Sequence, residues 1–227
     1  MAIDRQKAAK RANALQDIVA NKHKGRIERA IADAMSSVAI NLHLLQGHEL
    51  PPDHFRRIET AMQELYREMV RTMAQELVGR IKSGFEWIET KATEEGFYER
   101  LYEEYLYVHG GYNIANISAT TRRQIQRLIA NGLKQGLSIN EIAADILKAT
   151  PTIAETRARI IARTETHSAS MFASLQSAKR STTELVKEWV TVEDGRVRDF
   201  GEGDGIVDDF SHRSMNEVTV PLDQPFK

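Results

Sequence analysis

The sequence predicts a mainly α-helical protein: a long N-terminal helical hairpin and further helix pairs, then a small α+β module at the C-terminus. Three observations predict it. Apolar residues recur every three or four positions through most of the chain up to about residue 180. Thirteen glycines and five prolines in 227 residues leave little chain for long loops. Strand-like segments rich in Val and Thr come late, in ELVKEWVTVEDGRVRDF and VTVPLDQPF.

Residues 3–46 read as one long helix or two collinear ones, with Ile27, Ile31, Ala34, Val38, Leu42 and Leu45 on one stripe. Upstream of Gly25 the stripe is thin, so the first turns are expected to lack support within the chain and to order against an acidic partner surface. GHELPPD ends this helix, because a residue before proline disfavours helical geometry. A second helix runs from Asp53 to about Ser83. Its stripe of Phe55, Ile58, Met62, Leu65, Met69, Met73, Leu77 and Ile81 makes a hairpin with the first, its methionines acting as core filler.

Residues 85–109 form an acidic, aromatic stretch with Phe97, Leu101 and Tyr105 on one helical face and a solvated row of glutamates. HGGYN, residues 109–113, reads as a loop. From 118 the pattern is helix, turn, helix: Gly136 ends the first, and Ser138 with Glu141 forms a capping box for the second. Pro151 and a second box, Thr152 with Glu155, predict a break and a new helix to about Lys179. On that helix Ile153, Ile160, Thr164, Met171 and Leu175 share one side. An Asp-Gly turn at 194–195 and one helical turn in FSHRSMNE lie between the two strand segments.

The net charge of −1 conceals blocks: +5 over residues 1–26, −4 over 53–104, +6 over 119–180 and −6 over 184–227. Such alternation suits packing against copies of the same chain or partners of opposite sign. No cysteine is present, which excludes disulfides and thiolate metal sites. No apolar run approaches the roughly 20 residues of a membrane span. The start lacks the apolar core of a secretion signal. The expectation is a soluble chain made in the cytoplasm.

The C-terminal third holds the chemically suggestive residues. Asp204, Asp208, Asp209 and His212 are of metal-ligand type but do not follow the alternation of a calcium loop. Glu165, His167 and His212 are candidate general bases without a placed partner. Arg157, Arg159, Arg163, Arg196 and Arg198 could hold phosphate. The helix–turn–helix with Arg122, Arg123 and Arg127 invites a DNA reading, although its second helix is poor in base-reading side chains. The structural alternative is a charged network. In it Arg163 and Glu165 pair with Asp194, Arg196, Arg198 and Asp199, locking a poorly cored module onto the helix.

TRARIIARTETHSASM, then KEWVTVEDGRVRDF, then SHRSMNEVTVPLDQPF resembles the phage Mu F-like minor head proteins, also called phage head morphogenesis proteins. The elements that carry the resemblance are Ile161–Glu165 with Arg163 and Thr164, then Trp189, the turn of Asp194, Arg196 and Arg198, His212, and Pro225–Phe226. It covers residues 118–227. GEGDGIVDD lies between the arginines and the histidine, and Glu217 stands where the family usually has glycine.

The resemblance implies a head morphogenesis module over 118–227, and residues 1–117, outside it, read as an elongated helical region. It implies a structural virion component with no enzymatic activity, no cofactor and no catalytic or metal residue. Arg163, Thr164, Glu165, Trp189, Asp194, Arg196, Arg198 and His212 are its structural motif. Portal protein and major capsid protein are the implied partners, with further copies of the chain and packaged DNA also within reach and no membrane. Its place would be the capsid interior or portal vertex after synthesis in the bacterial host. The rival readings are a DNA-binding protein using the basic 119–180 block and a metal-dependent DNA-processing protein around His212.

Overall fold

The computed structural model describes residues 5–44, 50, 52–80, 94–181, 184–191 and 214–226. The fold is mainly α-helical. Five helices, α1 (Arg5–Ile40), α2 (Arg56–Arg80), α3 (Glu94–Tyr105), α4 (Gly111–Lys134) and α5 (Ile139–Lys179), precede a two-stranded antiparallel sheet. Its strands are β1 (Val186–Glu188) and β2 (Thr219–Pro221), with Lys187 opposite Val220.

α1 and α2 form the predicted hairpin. Ile27, Ile31, Ala34 and Val38 bury against Phe55, Ile58, Met62, Leu65 and Met69. The methionines Met35, Met62, Met69 and Met73 are core residues. Ion pairs lace the seam in antiparallel register: Arg11 to Glu76 (2.8 Å), Lys22 to Glu68 (2.7 Å), Arg26 to Glu64 (2.5 Å) and Arg57 to Asp33.

This seam corrects the expectation for the N-terminal turns. Three basic residues of α1, Arg11, Lys22 and Arg26, find their acidic surface within the same chain, on α2. Val19 and His23 are buried, Ala12 and Leu15 pack on the core, and Gln16 donates to Ser170 Oγ on α5 (2.8 Å). The thin stripe suffices because two helices, not one, flank α1.

Glu68 is the most connected carboxylate of the seam, accepting from Lys22 Nζ and meeting His23 Nε2 at 2.9 Å. Burial pushes its carboxyl up, but the bonds from Lys22 and His23 outweigh that and hold it below the usual 4.5. A depressed carboxyl contributes stability that is present above its unfolded pKa and disappears as pH falls through the folded one. The seam should therefore weaken in acid, below about pH 4.5. Urea midpoints measured from about pH 6 down to about pH 3 should fall less steeply in Glu68→Gln than in the parent.

The predicted loop at 109–113 is helical instead. A π-helical turn, Leu106–Gly110, joins α3 to α4 without a break. Glycine is needed there for approach rather than for a turn. A Cβ at Gly110 would stand 2.9 Å from Leu106 Cδ2 and 3.3 Å from two Tyr66 ring carbons. The turn at the end of α4 is as predicted: Gly136 has φ +71°, and Ser138 and Glu141 form a complete capping box.

The predicted break at Pro151 does not occur, and α5 runs unbroken for 41 residues, about 60 Å. Proline inside a helix costs about 3 kcal/mol through its missing N–H and its clash with the carbonyl four residues back. Ile142, Ile146, Thr150, Ala154 and Ala158 are buried at steps of four on both sides of it, so burial of one face selects the continuous helix over a second cap. The face assigned to α5 also needs correction. Ile160 and Met171 are each 57 % exposed, and Thr164 is exposed. The core side is instead Ala158, Ala162, Glu165, Ala169, Ala173 and Ser177. Large side chains from α1 and α2 fill the space between the helices, so α5 contributes small ones and lies close to both.

The core is continuous from Val19 to Ala173. Position 117/118 falls inside α4, whose Ile114, Ile117 and Ile125 all join that core. Three glutamates of α3, exposed Glu95 and half-buried Glu99 and Glu104, are ion-paired with Arg71, Arg67 and Arg180.

Candidate functional site

Glu165 is the one carboxylate among the buried described residues. Its side chain enters the helical core. Its Oε2 accepts from Tyr66 Oη of α2 (2.7 Å) and from Asn113 Nδ2 of α4 (2.8 Å). Tyr105 of α3 packs edge-on against Tyr66, with ring centroids 5.0 Å apart, and donates to Ser168 Oγ. Phe172 of α5 completes the aromatic cluster against Tyr105 and His109. One carboxylate thus ties three helices, α2, α4 and α5, together.

The electrostatics fit a fixed joint. Burial and the hydrogen bond to Glu165 push the Tyr66 phenol far above its usual value, so it remains a donor. Burial lifts Tyr105 to about 12, against a lowering contribution from Ser168. Arg157, half-buried, donates to Ile117 O and Thr121 Oγ1 of α4, and burial lowers its guanidinium from the ordinary value. These bonds hold α4 on α5 without an acid–base pair open to solvent.

The other expected site residues divide in two. Arg163 and Thr164 are exposed on α5, and Arg163 makes no ion pair among the described residues. His167 lies on the outer side of α5, with Nδ1 3.3 Å from Gln16 Oε1, well away from the buried side that Glu165 occupies. The structure therefore separates two of the candidate bases. Asp194, Arg196, Arg198, Asp199, Asp204, Asp208, Asp209 and His212 lie outside the described residues, as does the Asp-Gly turn. Tyr66 and Asn113, the partners of Glu165, escaped the sequence reading. Tyr66 follows Met62 by four on the apolar stripe, and Asn113 sat in the presumed loop.

In the strand unit Trp189 and Phe226 meet edge-to-face at 5.5 Å, so the motif tryptophan and the terminal Pro-Phe pack together. Trp189 N–H donates to Val218 O (2.9 Å) and its carbonyl accepts from Glu217 N–H (2.8 Å). Asn216 Oδ1 accepts from Thr191 N–H, and Met215 is buried. A turn closed by Val218 N–H to Met215 O holds Glu217 at φ +68°. That left-handed conformation costs a residue with a Cβ about 1–2 kcal/mol. Glu217→Gly should accordingly stabilise this unit by about 1 kcal/mol. Thermal melts followed by Trp189 fluorescence in a Trp87→Phe background measure it, and no gain would mean the turn is not strained.

An open groove is lined by Phe97, Arg100, Leu101, Glu104, Tyr107 and Arg180, and the Arg180–Glu104 ion pair at 2.6 Å lies within it. Among the described residues no group of three His, Cys, Asp or Glu is placed to hold a metal ion, and no helix is long and apolar enough to cross a membrane.

Comparison with known proteins agrees with the motif. No curated protein and no solved structure matches the chain. The family model of phage Mu protein F like proteins matches residues 123–224. That span begins inside α4, includes all of α5 with Glu165, and ends just past β2, so Glu165 and the Trp189–Asn216–Glu217 unit fall within it, whereas the partners Tyr66 and Asn113 lie before it. Over residues 123–224, somewhat under half of its length, this chain is similar to the phage Mu protein F like family.

Proposed function

We propose that this chain is a structural minor head protein of a bacteriophage, bound at the portal vertex or inner capsid wall and acting in head assembly and DNA packaging or ejection. The family match over 123–224 carries the reading. The architecture supports it. The long helices supply contact area, and α5 runs from the helical core to the strand unit, so a load on one end reaches the other through a single rigid element. The buried polar groups around Glu165 are engaged in holding helices, which suits a joint better than a reaction centre.

The partners under this reading are the portal protein and the major capsid protein, and the chain acts within the virion. Co-expression with the portal protein of the same phage tests it directly. The expected result is co-migration of the two in size-exclusion chromatography and presence of the chain in purified heads. Absence from both would overturn the reading. Metal-dependent nuclease turnover abolished by His212→Ala would replace it with the DNA-processing alternative.

A further inference from the structure

Between Glu104 and Glu141 the chain contains no Asp or Glu. α4 lies wholly inside this interval, and its charged side chains are Arg122, Arg123, Arg127 and Lys134. Arg122 turns inward, its guanidinium 5.0 Å above the Phe55 ring. The other three do not. Tyr112, Asn116, Ala119, Arg123, Arg127, Ala130 and Lys134 follow one another at steps of three or four, so they share one helix face, and every one of them is exposed. Cations elsewhere in the bundle are mixed: among the described residues some are ion-paired and some, such as Arg163 on α5, are not. Arg11, Lys22, Arg26, Arg67 and Arg71 each sit on a carboxylate, whereas among the described residues no ion pair involves α4.

We propose that this face of α4 binds the phosphodiester backbone of nucleic acid without reading its sequence. Three cations with no anion between them make a field that neighbouring acids do not cancel. Arg123 and Lys134 are eleven residues apart, about 16 Å along the axis, so the cations can meet several phosphates rather than one. Ala119 and Ala130 flank Arg123 and Arg127 on this face and leave room for a backbone to approach. Tyr112 and Asn116 add neutral donors of the kind that contact phosphate oxygens. An acidic protein is the competing occupant, and the face argues against it. From Asn116 to Ala130 its exposed members are polar, cationic or alanine, with no large apolar side chain to anchor a protein interface. Sequence reading is excluded by the next helix, where Glu141 and Asp145 are exposed and would repel phosphates at its start.

This inference goes beyond the head-protein reading and does not depend on it. The test is fluorescence anisotropy of the full chain with a labelled random-sequence duplex of about 30 base pairs, from about 50 to 200 mM KCl. The triple variant Arg123→Gln/Arg127→Gln/Lys134→Gln should bind at least about tenfold more weakly at the low-salt end. Its salt slope should fall by about 2.7, near 0.9 for each phosphate no longer neutralised. A charge-matched control, Arg11→Gln/Arg26→Gln/Arg57→Gln, removes cations that already face carboxylates and should leave both quantities near the parent values. Circular dichroism confirms that each variant is folded. Equal loss in the two triple variants, or no binding by the parent at about 50 mM salt, would overturn the proposal. Displacement of the duplex by poly-glutamate of equal charge as readily as by unlabelled duplex would also overturn it, in favour of an acidic protein partner.

Discussion

Replacing Glu165 by alanine is expected to destabilise the whole helical bundle by about 3 kcal/mol or more. The substitution strands the buried Tyr66 Oη and the half-buried Asn113 Nδ2, and an unsatisfied buried group costs about 1–3 kcal/mol. For a chain of this length that corresponds to a fall in melting temperature of about 6–12 °C. Glu165→Gln keeps an acceptor oxygen at the same reach and should lose less than half as much. Tyr66→Phe removes one donor and should lose about 1–2 kcal/mol. Because Tyr66 lies on α2 and Glu165 on α5, hydrogen exchange in Glu165→Ala should quicken in both helices. A melting temperature within about 1 °C of the parent would show that the carboxylate is not the joint.

Gly132→Ala is expected to destabilise by about 1–3 kcal/mol, although alanine is the better helix former by nearly 1 kcal/mol. The added Cβ would stand 2.5 Å from Ile142 Cγ1 and 3.1 Å from its Cδ1, where α4 turns into α5. Ile142 is 2 % exposed and has little room to yield. The two effects have opposite signs, so the direction alone decides between propensity and packing. A double-mutant cycle with Ile142→Ala sharpens it. Truncating Ile142 should cost about 1–2 kcal/mol less in the Gly132→Ala background than in the parent, because there it also relieves the clash. A stabilised Gly132→Ala would mean that the helices separate freely at this point.

Much of this protein was legible in its sequence. The α1–α2 stripes, the α4–α5 turn at Gly136, the Ser138–Glu141 cap and the late strands are all local patterns. In each, the residues that make the stripe, turn or cap lie within a few positions of one another, so spacing alone reports them. The resemblance to phage Mu F-like proteins was carried by short motifs of the same kind, and Glu217 in place of the usual glycine was visible among them, although its left-handed backbone emerged only in the structure.

What only the tertiary structure decided are the long-range choices. The helix continues through HGG because Tyr66, more than forty residues earlier in the chain, needs the space that Gly110 leaves. It continues through Pro151 because burying Ile146, Thr150 and Ala154 on one face outweighs a missing backbone bond. The outward face of α5 carries the larger apolar residues, Ile160 and Met171, because the inward one must be small enough to sit against two helices already filled with Ile, Met and Leu. Glu165 meets Tyr66 and Asn113, partners that spacing along its own helix cannot report. Local periodicity marks which residues could share a face. Only the neighbours that the fold brings up determine which face is covered, because burial free energy belongs to the pair and not to the helix.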